Sequence, residues 1–196
     1  MGLIKQAGDL VYTFRFLRLL TTKFEDTEAY KAGIIDENGK RLKSFDLNTM
    51  DNRNTYKNYY TPFHRLVFNI KKIMEKVPGG GSRLASYAAA LYLLKEHFGV
   101  KEKEIKKSLN VDALDFMSEQ TEWFLLENNQ LSPGTYKVLS DKLLNDTYDE
   151  VVLPRDKVVV SEDCYPVGEM FGLNIYEVTH CKTRKNIYVA VSELSR

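Results

Sequence analysis

An α+β fold, with a helical N-terminal domain followed by a small antiparallel β module, is predicted by three features of this sequence. Apolar residues recur at helical spacing through most of the chain up to about residue 128. Short runs rich in Val, Ile and Tyr come near the end, KVVVS, LNIYEV and NIYVAV, divided by the turn sequences PVG, FG and CKTRKN. Charge also changes sign along the chain: residues 1–110 carry 20 Lys and Arg against 12 Asp and Glu, and residues 111–196 carry 8 against 15. Two domains are expected, 1–128 and 129–196, the second an SH3-like barrel or a sheet of about five strands.

Leu10, Val11, Phe14, Leu17 and Thr21 fall on one stripe of a first helix, and Tyr12, Phe16, Leu19 and Leu20 make it apolar almost all round. Such a helix needs cover, from the rest of the chain or partly from a second copy. Asp9 is placed to accept from free backbone N–H groups near its start. A short helix follows, with Asp26 or Thr27 as cap and Gly33 as stop, then a small hairpin around Asn38-Gly39. Residues 44–60, SFDLNTMDNRNTYKNYY, lack periodicity and aliphatic content, which predicts a long surface connection.

Thr61-Pro62 opens the best amphipathic helix of the chain. Phe63, Leu66, Val67, Ile70, Ile73, Met74 and Val77 form its apolar face, and Arg65, Lys71, Lys72 and Lys76 its exposed one. Pro78 and three glycines end it, and Ser82 caps a second helix whose inner surface includes Leu84, Tyr87, Ala88, Leu91 and Leu94. Residues 101–110 predict a solvated helix, and residues 111–127 another, capped by Asp112. Residues 173–179 and 186–191 should pair as an antiparallel hairpin whose polar turn holds Cys181 and Lys185.

A hydrophobic fraction of 43% with 28% charged residues describes a globular chain. Cys164 and Cys181 are its only cysteines and lack zinc-site spacing, so a reducing compartment and free thiols are expected. The first eight residues lack the order of a secretory signal, and no stretch approaches the ~20 apolar residues of a membrane span. The glycine run lacks phosphate-loop spacing, with Lys76 before the glycines rather than after them. His64, His97 and His180 lie in separate elements, and His180 and Cys181 would point to opposite faces of a strand. No catalytic residue, metal ligand, cofactor or small-molecule substrate is expected, and the chain does not read as an enzyme.

Two clusters are candidate contacts. Arg65, Lys71, Lys72, Lys76 and Arg83, beside Tyr56, Tyr59 and Tyr60, combine cations for phosphate with aromatic faces for bases, the pattern of a nucleic-acid or anion site. The competing reading has the tyrosines packed over the helical core and the lysines keeping the helix soluble; for the charge asymmetry it is that the two halves attract each other or that the charges are solvated faces. Lys182, Arg184 and Lys185, at the predicted hairpin tip, form a smaller surface for a partner.

The run GLIKQAGDLVYTFRFLRLLTTKFEDTEAYKAGIIDENGK, the hinge KVPGGGSRLASYAAALYLLKEH and the tail VSEDCYPVGEMFGLNIYEVTHCKTRKNIYVAVSEL together resemble an uncharacterised protein of large tailed bacteriophages. The resemblance attaches to no catalytic motif and implies no functional residue. It implies a phage product made in the host cytoplasm, either a virion component or an assembly factor, whose partners are other phage proteins or itself. A nucleic-acid-associated accessory protein is the alternative.

Overall fold

The computed structural model describes residues 2–76, 82–109 and 124–196. The expectations for the glycine run, the Asp112 cap and the helix around Trp123 lie outside them. Helix α1 (Gly2–Thr21) packs on its neighbours through buried Thr13 and Phe16 and half-buried Tyr12, Leu17, Leu19 and Leu20. Val11 and Phe14, expected on the core stripe, face outward instead. The neighbouring helices meet the side carrying Tyr12, whose ring lies 5.0 Å from Phe63 and 5.4 Å from Phe98. A helix apolar all round does not reveal from spacing alone which side is covered.

Thr27 caps α2 (Glu28–Lys31), its hydroxyl accepting from the Tyr30 N–H at 3.2 Å, and Gly33 ends it at φ +72°. In the hairpin that follows, Asp36 Oδ1 accepts from the N–H groups of Asn38 and Lys40. Gly39 is required there: its φ is +72°, and a Cβ would lie 2.4 Å from the Phe24 ring. The predicted surface connection over residues 44–60 contains a helix, α3 (Met50–Tyr59), capped by Thr49. It buries no residue, so it has no apolar period to detect.

Helix α4 (Pro62–Lys76) buries Phe63, Leu66, Val67, Ile70 and Ile73, the predicted face. It packs on α5 (Ser82–Phe98), in which every residue from Tyr87 to Leu94 is buried, because the sheet covers the side that α4 leaves free. The predicted solvated helix is α6 (Glu102–Leu109), although Ile105 is fully buried.

The strands are β1 (Gly134–Val138), β2 (Lys142–Leu143), β3 (Glu150–Val152), β4 (Lys157–Val160), β5 (Pro166–Met170), β6 (Leu173–His180), β7 (Asn186–Ala190) and β8 (Leu194–Ser195). The main sheet is antiparallel with order β5-β6-β4-β1-β8, and β7 lies on the other side of β6; β2 and β3 form a separate pair. Among the described residues the ladder pairings form an open path, and an isolated bridge joins Ile187 of β7 to Leu144. The predicted hairpin is β6–β7, joined across residues 181–185.

Strand alternation divides the sheet between two cores. Tyr176, Val178, Ile187 and Val189 line the inside of the β module with Tyr136, Val138 and Val158. Leu173, Ile175 and Ala190, on the opposite face, join Leu91, Leu94 and the α4 residues. The largest core is therefore built from both halves of the chain.

Candidate interaction surfaces

Residues 139–156 leave β1, turn through β2 and β3 and return to β4, forming a strap that lies between the helices and the β6–β7 turn. Leu143 and Tyr148 enter the helix-side core, and Leu144 and Val152 enter the core of the module. The polar positions of the strap are rich in acid: Asp141, Asp146, Asp149, Glu150 and Asp156.

That acid takes up most of the predicted basic strip. Arg65 donates to the Thr147 carbonyl at 3.2 Å and lies 3.5 Å from Asp149. Lys72 pairs with Glu150 at 3.1 Å, and Lys76 pairs with both Glu150 and Asp141. Burial works against the Lys76 ammonium, but its hydrogen bonds to Glu150 and Asp141 raise its pKa above the ordinary lysine value. Lys71 turns the other way, donating to the Thr22 carbonyl and lying 4.4 Å from the Phe24 ring centroid, where burial lowers its pKa. Arg83 sits in the first turn of α5, and its side chain lies outside the described residues.

The same strap engages the hairpin tip. Lys182 pairs with Asp156, and Lys185 with Asp146 at 2.8 Å. Arg184, at φ +59°, is exposed without a carboxylate partner among the described residues. Below the tip, buried His180 places Nδ1 2.9 Å from the Thr183 hydroxyl and Nε2 3.4 Å from Asp156. Cys181 and Cys164 are free.

The three tyrosines have different surroundings. Tyr60 is buried between Tyr56 and Phe68, and burial raises its hydroxyl pKa to about 12 against the pull of Arg65. Tyr56 is half-buried under the Arg41 guanidinium, 5.3 Å from its ring centroid, and Tyr59 is exposed. Stacking requires an open face, which Tyr60 does not offer. A cleft of about 580 Å³ opens between α4, the Asn38–Arg41 turn and the strap. Lys40 and Arg41 line it and have no carboxylate within 4 Å among the described residues; neither belonged to the expected set. Their signal was basic residues beside a tight turn, which is also what a solvated turn looks like.

Exposed apolar side chains occur on several elements, among them Met50 on α3 and Leu139, Val151 and Leu153 on the strap. On α1, Val11 and Phe14 are 51% and 63% exposed, and on the outer strand β5 and the residue before it, Val167 and Tyr165 are 47% and 48% exposed. No helix of the described residues is long and apolar enough to cross a membrane. No family model, curated protein or solved structure matches this chain.

Proposed function

We propose that this protein is a non-enzymatic structural or assembly component of a bacteriophage particle that acts through protein–protein contacts. The internal use of its charge carries the reading: Arg65, Lys72, Lys76, Lys182 and Lys185, which could have met phosphate, are fastened to the strap's own carboxylates. A phosphate would have to displace those carboxylates, whereas apolar surface on α1 and β5 remains open to a protein partner. The resemblance to a phage protein supplies the setting, synthesis in the host cytoplasm followed by a place in the virion or in an assembly intermediate. Purified particles and intermediates, separated by sedimentation and analysed by mass spectrometry, should contain the protein. Its absence from both would contradict the proposal.

A nucleic-acid-associated role is the second reading, favoured by Lys40 and Arg41 in the cleft. It requires binding to single or double strands that weakens as salt rises and is lost on Lys40→Ala with Arg41→Ala. The first reading requires no such binding.

A further inference from the structure

We infer that copies of this chain associate head to tail, the outward face of α1 on one copy seating against the β5 side of the next. The inference rests on the protein-contact reading above and names the partner as a second copy. Val11, Phe14, Arg15 and Arg18 are all exposed and share one face, at spacings of three and four residues. Among the described residues no carboxylate lies within 4 Å of either arginine. The face is thus an apolar centre with two unpaired cations.

The β5 side offers the complement. From Asp163 to Met170 exposed positions (Asp163, Tyr165, Val167 and Glu169) alternate with buried or half-buried ones, and Glu162 is exposed in the turn just before them. No Lys or Arg lies within 4 Å of these three carboxylates among the described residues. This face is an apolar centre with unpaired anions.

Strand addition to β5 is discouraged by the structure itself. Pro166 lacks an N–H, the register shifts between Pro166 and Gly168, and the carbonyls of Val167 and Glu169 already accept from the Tyr92 hydroxyl and Lys95 Nζ. Gly168 permits that capping, since a Cβ there would lie 2.4 Å from the Tyr92 hydroxyl. The β5 surface is therefore available to side chains and closed to another strand, as a helix face requires.

The two faces lie on different parts of the molecule, α1 against α4 and α6, β5 against β6 and α5. Opposite charge makes each face repel its own kind and attract the other, so the contact is heterologous and propagates from copy to copy.

Sedimentation velocity on the full chain tests this, using wild type, Phe14→Ser, the pair Arg15→Glu and Arg18→Glu, and the pair Glu162→Lys and Asp163→Lys. All five positions are exposed, and circular dichroism checks that each variant keeps its fold. Wild type should sediment above the 22.7 kDa monomer and dissociate as salt rises. Phe14→Ser and each charge-reversed protein should associate about tenfold more weakly or worse, as loss of a central aromatic or a charge pair does. An equimolar mixture of the two charge-reversed proteins should associate again, because each carries the complement of the other. If the Glu162→Lys, Asp163→Lys protein associates like wild type while the arginine-reversed protein does not, α1 pairs with α1 and the inference falls. A wild-type monomer at every concentration also overturns it. If that monomer is still found in sedimented particles, the protein-contact reading stands without self-association.

Discussion

Lys142 and Glu193 form a buried ion pair, and the same carboxylate accepts from the Ser140 hydroxyl and the Ala190 N–H. Burial lowers the Lys142 pKa against the pull of Glu193, so the ammonium depends on its partner to remain charged. Glu193→Gln should cost about 3–5 kcal/mol, the usual penalty for stranding one buried charge, and Lys142→Met in the same chain should recover part of it. Urea unfolding measures both; a single variant as stable as wild type would contradict this role. Asp156 makes a pH prediction. The hydrogen bond from Lys182, then the Leu153 N–H, hold its pKa below the ordinary 3.8. A depressed folded-state pKa contributes stability above pH 3.8 that is lost as pH falls through the folded value. Acid titration of the melting temperature should show that loss, and Asp156→Asn should flatten it. Of these residues the sequence showed charge and nothing of pairing, because partners 26 or 51 positions apart carry no local signal.

At the scale of elements, the strap is held to α4 by Glu150, whose mostly buried carboxylate meets half-buried Lys72 and half-exposed Lys76 at the edge of the cleft. Glu150→Gln should destabilise the protein by about 1–3 kcal/mol, and by less in high salt. No cost at either salt concentration would mean that Leu143 and Tyr148 hold the strap by packing alone. Helices α4 and α5 and the β6–β7 hairpin were legible because their periods are set by one dominant core face or by paired turns. Helix α3 was not, since it buries nothing, and the covered side of α1 was not, since its apolar residues surround it. The charge of Arg65, Lys72 and Lys76 was legible, but their carboxylate partners lie on a strap 65 to 84 positions away in sequence and carry no local signal.

At the scale of the whole molecule, the helices and the sheet share their largest core, with Leu91 and Leu94 meeting Leu173, Ile175 and Ala190. Thermal unfolding should therefore be one transition, with helical and aromatic circular dichroism melting together. Two separated transitions would support independent domains at 1–128 and 129–196. Fold class was readable from composition and periodicity, whereas the neutralisation of one half by the other required the tertiary structure. The most direct measurement of the central claim is the mass of the purified protein by light scattering, at low and high salt, with and without a mixed oligonucleotide. A protein that works through protein contacts, with copies joined through α1 and β5, should exceed 22.7 kDa at low salt and ignore the oligonucleotide. A monomer that gains mass only when the oligonucleotide is added at low salt would contradict the account and give first place to the cleft at Lys40 and Arg41.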